Sequence, residues 1–391
     1  MTPASLALGH EVERAVHDRY SGAAREPAGL CCPQTNDPRL LELVPAEILE
    51  RDYGCGDPTK HVQPGETVLD LGSGSGKACY LLAQIVGPMG KVIGVDVNDE
   101  MLSLSRRHER SFGRRLGYHN LAFGKGRIQD LALDLEAVDA WLRAHPVSAS
   151  EGLQALDAEM DRLRNEAPLV ADASVDVVVS DCVLNLVRPD EKARLFREIH
   201  RVLKPGGRAV ISDIVSDEDV PERLQRDPEL WAGCVSGAMR EDRFVEAFEE
   251  AGLYGMTLVE RPDAPWRTVE GVEFRSVTVT AYKGKEGACW DRRQAVVYRG
   301  PFKEVTDDDG HVLRRGVRVA VCDKTFNIYR RAPYASHFSF VEPLEPVPVA
   351  DARPFPCGAG MLVRDPRETK GEDYVATTEA GAACAGGCCS P

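Results

Sequence analysis

The sequence predicts an α/β fold in which a mostly parallel sheet is covered by helices on both faces. From Thr67 onward, continuous apolar, β-rich runs of strand length alternate with amphipathic segments: TVLDLG, KVIGVDV, the stretch around GRIQDL, SVDVVVSDCV and GGRAVISDIV. Parallel neighbours need long crossovers, which the intervening segments supply. The first run also opens into a glycine-rich turn before an amphipathic segment, the arrangement that presents a ligand loop at a sheet edge.

Lys77 to Val86 is expected to form the first crossover helix. Asp190 to Leu203 forms another, because Leu195, Ile199 and Leu203 recur on one face. After the fifth run, TLVE and SVTVTAYKG complete the sheet edge near residue 283, so the core domain is placed at 61–285. Within it, a charged insertion from Asp134 to Pro168 carries a stripe of Leu153, Leu156, Met160 and Leu163, expected as an external packed helix. Residues 1–60 are read as a helical or loop segment bearing thiols. After Gly287, QAVVYRG and VRVAVCD flank the turn-forming DDDG and predict a small β-rich domain over 286–350. The remainder, 351–391, is dense in Pro, Gly, Ala and charge and is expected to be a flexible tail containing cysteines.

A chain of 391 residues exceeds what one core usually organises. Its 48 basic and 62 acidic side chains give a net charge of -14. That charge repels phosphate backbones and anionic lipid, so no nucleic acid and no membrane partner is expected. No window approaches the roughly 18 apolar residues of a membrane helix, and MTPASLALGHEVERA is no leader, so a cytoplasmic location is expected. Twelve dispersed cysteines do not resemble a secreted disulfide framework. In a reducing compartment they are free, metal-binding or redox-active.

In VLDLGSGSG, Asp70 ends a strand, and Gly72, Gly74 and Gly76 form the turn into the next helix. A nicotinamide fingerprint needs Gly or Ala three residues after Gly74, where Lys77 stands. The spacing Asp-x-Gly-x-Gly-x-Gly instead resembles the first motif of Rossmann-like class I methyltransferases. That resemblance implies S-adenosylmethionine as cofactor, with Asp70 beside its ammonium group. Asp96, at the end of the next strand, is placed to accept hydrogen bonds from ribose hydroxyls. By the same resemblance Ile128 and Gln129, at the third strand end, flank adenine with Val97.

Ligands of open parallel sheets gather at the carboxyl ends of strands. Cys182 closes the fourth strand, Cys55 precedes the first, and Cys234 follows the fifth, so the three thiols can converge. Three thiols without histidine partners suggest a structural zinc, a copper(I) ion or a trivalent metalloid. The C-x2-C pairs usual for zinc are absent from the sequence.

YGCG, DLGSGSGKACY, SDCVLNLV, HRVLKPGG, ISDI and LWAGCVSGA resemble, in order and spacing, the successive motifs of the arsenite methyltransferase family, and CAGGCC resembles its cysteine-rich C-terminus. The resemblance implies that Cys55, Cys182 and Cys234 bind arsenic(III). It implies that Cys31 or Cys32, with Cys31 preferred, is a further catalytic thiol, and that Tyr53 lies beside the cofactor. Arsenite or methylarsenite as thiol conjugates would be the acceptors, with thioredoxin or glutathione as reductant. Asp181 stands where that family often has asparagine, which brings a charge to the metalloid or to the cofactor. Cys79 is read as a packed residue, Cys289, Cys322 and Cys357 as structural or incidental, and Cys384, Cys388 and Cys389 as tail thiols. Trp231 either walls the site or fills the core. A carbon or oxygen acceptor, with incidental cysteines, and a non-catalytic thiol-rich binding protein are the rival expectations.

Overall fold

A computed structural model describes residues 3–26, 36–51, 53–358, 360–371 and 373–375. The expectations at Cys31, Cys32, Cys384, Cys388 and Cys389 lie outside the described residues. The chain divides into two compact units, Met1–Gly284 and Lys285–Pro391.

In the first unit β1 (Thr67–Leu71), β2 (Lys91–Asp96), β3 (Leu121–Lys125), β4 (Val175–Asp181) and β5 (Leu203–Ser216) run parallel in the order β3-β2-β1-β4-β5. The chain then forms β6 (Tyr254–Glu260) and β7 (Val272–Tyr282); β7 pairs antiparallel with β5, and β6 closes the edge antiparallel to β7. The order reverses between β1 and β4, the switch point where such sheets bind ligands. The third strand is LAFGK, not the stretch around GRIQDL: that stretch forms the turn after β3, so Ile128 and Gln129 sit in a loop beyond the strand. LAFGK is too short and too glycine-broken to stand out as an apolar run.

The sheet is buried on both faces because its strands alternate between two cores. Leu69 and Leu71 of β1 pack with Leu195, Phe196 and Ile199 of the helix Pro189–Val202, whereas Val68 packs with Tyr80 and Leu81 of the helix Lys77–Val86. Each such side chain stabilises the fold by roughly 1.5–3 kcal/mol relative to exposure. The helix Asp99–Leu116 is set by its ends. Asn98 accepts from Met101 N, Asp99 and Glu100 occupy the first turn, Arg114 and Arg115 the last, and Gly117 ends it in the left-handed region.

The insertion forms two helices, Leu135–Ala144 and Ser150–Glu166. Leu156, Met160 and Leu163 pack on Leu133 and Val138, while Leu153 is exposed. Residues 1–60 are no separate body. The helix Pro3–Arg25 packs on Asp99–Leu116 and on Pro228–Ala232, with Asn98 Nδ2 donating to Ser21 Oγ at 2.9 Å.

In the second unit, Ala295–Tyr298 pairs antiparallel with both Arg318–Ala320 and Phe338–Val341. DDDG turns the hairpin of Glu304–Thr306 with Val312–Arg314. The tail expected from residue 351 is folded through its first part: Arg353–Pro354 pairs with Trp290–Asp291, and Asp365 caps the helix Pro366–Lys370. Arg364, nearly fully buried, binds Asp291 at 2.6 Å. Ion pairs of the buried Arg364 with Asp291 and Glu368, short backbone pairing and a few apolar contacts, rather than apolar periodicity, fasten this stretch, which is why its composition read as flexible. No helix among the described residues is long and apolar enough to cross a membrane.

Candidate active site

A cavity of about 490 Å³ opens at the carboxyl ends of β1, β2 and β4. That lies within the roughly 300–1,000 Å³ of small-molecule sites. Tyr53, Asp70, Gly72, Gly74, Asp96, Val97, Ile128, Gln129 and Cys182 all line it. Gly76 does not; it packs behind the loop against Phe123. The loop depends on Gly72, whose φ is 67° and where a Cβ would meet Val183 Cγ1 at 2.4 Å. The sequence did not reveal the wall opposite: Glu13, His17 and Tyr20 of the helix Pro3–Arg25 also line the cavity, and Tyr53 Oη donates to Ala23 O at 2.9 Å.

The cavity lining carries both signs of charge, with Arg14, Arg51, Lys77, Arg127 and Arg188 beside its carboxylates. Asp70 is buried and Asp96 partly buried, and among the described residues no basic side chain forms an ion pair with either. Burial pushes Asp70 up to about 7, against a hydrogen bond from Cys79 Sγ at 3.1 Å and with added repulsion from Asp96. Burial likewise raises Asp96, although its carboxylate accepts from Asn98 N and Gly74 N, both at 2.8 Å. Cys79 is therefore packed, as expected, but it also orients Asp70. A ligand with an ammonium group for Asp70 and vicinal ribose hydroxyls for Asp96 answers both carboxylates, so the residues present fit S-adenosylmethionine.

The thiols meet at the end of β4. Cys55 and Cys182 are joined as a disulfide with Cα atoms 5.9 Å apart. Cys234 Sγ lies 3.3 Å from Cys182 O, and all three side chains belong to one apolar cluster with Ile214, Val235 and Phe274. The mutually close ligand atoms here are those of Cys55, Asp181 and Cys182, all within 4.8 Å, and Cys234 stands outside that group. Of these thiols, Cys182 alone lines the cavity. Cys182 and Cys234 have φ of 58° and 62°, left-handed conformations that ordinary residues avoid and that concentrate at functional sites.

Asp181 lines the cavity, and its carboxylate also lies within 4.8 Å of the Cys55 and Cys182 sulfurs, so it stands beside both places expected of it. Its Oδ1 accepts from Cys55 N at 2.5 Å and Gly56 N at 2.7 Å, so the carboxylate clips the Cys55 loop to β4. Gly56 permits the close crossing, since a Cβ there would meet Ser212 Oγ at 2.1 Å. Trp231 is buried beneath the Cys234 turn and donates to Leu186 O at 3.4 Å, so it fills the core.

A buried polar network behind Cys234 was missed from the sequence. Asn185 Nδ2 donates to Ile214 O at 2.6 Å and Cys234 O at 3.3 Å, while its backbone N–H reaches Asp213 Oδ2 at 3.2 Å. Lys192 Nζ donates to Asn185 Oδ1 at 3.4 Å and Gly237 O at 2.5 Å. Burial pulls the Lys192 ammonium down, opposed by Asp213 and by Cys234; burial raises Asp213, opposed by Ile214 N and Lys192. A carboxylate inside the apolar strand ISDI was the available signal.

A methyltransferase-domain family matches residues 62–166 and 143–252, and a domain of unknown function matches 285–374. The arsenite methyltransferase of Aquipseudomonas alcaligenes is 34% identical over 329 residues, covering 80% of this chain and 84% of the relative. That of Mus musculus is 28% identical over 366 residues, covering 89% and 86%. A solved arsenic(III) S-adenosylmethionine methyltransferase from Chlamydomonas reinhardtii matches with a TM-score of 0.54 at 27% identity, covering 82% of this chain and 99% of that one. Similarity that spans most of both chains, on a sheet with a cavity holding Asp70 and Asp96 at its switch point, makes this chain a member of the arsenite methyltransferase family and an S-adenosylmethionine-dependent methyltransferase.

Proposed function

We propose that this protein methylates trivalent arsenic, taken as thiol conjugates of arsenite or methylarsenite and held on Cys182 and Cys234 with Cys55. The observation that carries this is the position of Cys182, which directly follows β4, lines the cofactor cavity, is bonded to Cys55 and meets the Cys234 thiol at its backbone carbonyl.

Asp70 would hold the ammonium end of S-adenosylmethionine, Asp96 its ribose, and Ile128, Gln129 and Val97 its adenine. When bound, the cofactor supplies an electrophilic methyl group, the carbon–sulfur bonding pair staying with the departing thioether. The chain's own part is positioning. Arsenic on thiolates keeps a lone pair, so no general base is required, and the strained turns at Cys182 and Cys234 fix the sulfurs against the sheet edge. Forming the arsenic–carbon bond with that lone pair takes arsenic from trivalent to pentavalent. Two thiolates return it to the trivalent state by giving up two electrons as a disulfide, and the Cys55–Cys182 pairing supports this pair for that step. Two thiols of glutathione or thioredoxin then reopen the bond by exchange and leave as a disulfide themselves. This chemistry suits a cytoplasmic setting and a role in arsenic detoxification.

Reduced full-length protein with labelled S-adenosylmethionine, thiol and arsenite should produce methylated arsenic, separable by chromatography. No methylated arsenic under reducing conditions would overturn the proposal.

A further inference from the structure

Three cysteines of the second unit converge from distant stretches of chain. Cys289 precedes the strand Trp290–Asp291, Cys322 precedes the helix Asp323–Tyr329, and Cys357 follows the strand Arg353–Pro354. Their sulfur atoms all lie within 4.8 Å of one another, and all three are free thiols. The backbone holds them there: Phe355 N donates to Cys289 O at 2.8 Å and Cys357 N to Phe355 O at 2.9 Å. Cys322 Sγ accepts from Thr325 N at 3.4 Å. Ala320, Phe355 and Leu362 pack around the sulfurs.

We propose that Cys289, Cys322 and Cys357 form a three-thiolate site that binds trivalent arsenic in the second unit, separately from the thiols on the sheet edge. Sulfur donors select soft, thiophilic centres. The group contains neither histidine nor carboxylate, whereas a structural zinc site closes with four ligands. Trivalent arsenic makes three bonds and keeps a lone pair, and its neutral tris-thiolate suits an apolar lining that a charged zinc complex does not. The step balances without a redox partner. Three arsenic–oxygen bonds of arsenous acid break, three arsenic–sulfur bonds form, and the thiol protons leave on the hydroxides as three waters.

Access is graded in the same direction: Cys357 is exposed, Cys289 half-buried and Cys322 buried. Capture therefore begins at the solvent-reached pair Cys289 and Cys357, with Cys289 beside the Lys324 ammonium, and closes on buried Cys322. The choice of arsenic as occupant rests on the function proposed above.

The test uses full-length, reduced Cys182→Ala protein, which removes methyl transfer, and arsenite as the probe. Arsenic bound per chain after desalting is compared with that of Cys182→Ala/Cys289→Ala/Cys357→Ala; Cys322 is kept because it fills the core. The expected result is one fewer arsenic per chain in the triple variant. A second measurement needs no variant. In the wild-type chain arsenite should slow maleimide alkylation of Cys289 and Cys357 together, by about tenfold or more, because only free thiolate reacts. Equal arsenic stoichiometry in the two proteins, unchanged alkylation, or a bound zinc that arsenite does not displace would overturn the site. Absence of methylation in the wild-type chain with protection retained would count against the proposed activity and leave this site standing.

Discussion

The two groups of cysteines differ in their surroundings more than in their members. On the sheet edge, two of the three thiol residues sit in left-handed conformations, one lines a cavity with Asp70 and Asp96, and a buried network holding Lys192 and Asp213 stands behind another. In the second unit all three sulfurs lie within 4.8 Å of one another, yet none of the three residues has a positive φ. Backbone strain and buried charge cost stability and persist where they position reacting groups. Convergence of sulfur alone is enough to hold a thiophilic centre. Under the function and the second site proposed above, the difference separates transfer from retention.

Removing the transferring thiols should have the largest effect. Cys182→Ser and Cys234→Ser are expected to abolish methylation of both arsenite and methylarsenite, by about 1,000-fold or more in kcat/KM, since both positioning and acceptor binding are lost. Cys55→Ser should mainly affect arsenite. Full turnover by Cys182→Ser would break the distinction between the two groups.

The buried charges come next. Lys192→Met removes the buried ammonium whose charge offsets Asp213 and leaves Asn185 Oδ1 and Gly237 O without their donor, and should lower stability by about 1–3 kcal/mol in urea unfolding, with Lys192→Met/Asp213→Leu recovering part of it. A neutral single variant would mean that the network does not buttress Cys234.

How much of this was legible follows from where each signal lives. β1, β2, β4 and β5 could be read because they are continuous apolar runs, and Asp70 and Asp96 because they interrupt two of these runs, one residue before the end of β1 and at the end of β2. β3 could not, since LAFGK lacks that continuity. Cys182 was readable as a strand end, but its disulfide to Cys55 and its left-handed backbone are tertiary facts. The helix Pro3–Arg25 carries no ligand motif; its part in the cavity arises from docking on Asn98 and Glu100. Cys289, Cys322 and Cys357 each look incidental in sequence, and only the pairing of Trp290–Asp291 with Arg353–Pro354 brings the first and last together.

Asp70 sharpens the comparison through pH. Its carboxyl, ordinarily near 3.8, is raised to about 7. The empty pocket therefore keeps it protonated below that pH, and its ionisation costs folding stability as pH rises through the interval. A cationic ligand favours the ionised form, so affinity for S-adenosylmethionine should rise by about tenfold per pH unit up to 7 and then level. Asp70→Asn should flatten that profile and weaken binding above pH 7 by roughly 1.5–3 kcal/mol, measurable by calorimetry. Arsenite binding to the second unit should not follow this profile. A pH-independent cofactor affinity in the wild-type chain would remove Asp70 from the role.

The smallest effect concerns the clip that only the first group possesses. Asp181 Oδ1 takes two backbone N–H groups of the Cys55 loop, and Asp181→Ala would leave both without their acceptor. Water can reach this half-buried loop, so the cost should be about 1–1.5 kcal/mol, the low end for hydrogen bonds to a charged group. It should fall on the position of Cys55, whereas Cys182 stays fixed by Cys182 N donating to Ser212 O at 2.8 Å. The expected readout is a KM for arsenite raised by about tenfold, with methylarsenite changed far less because it needs one thiol fewer. Asp181→Asn should restore most of the loss, since an amide oxygen accepts the same two donors without the charge. Equal losses for both acceptors, or no rescue by asparagine, would show that the carboxylate acts on the acceptor through its charge and does not position Cys55.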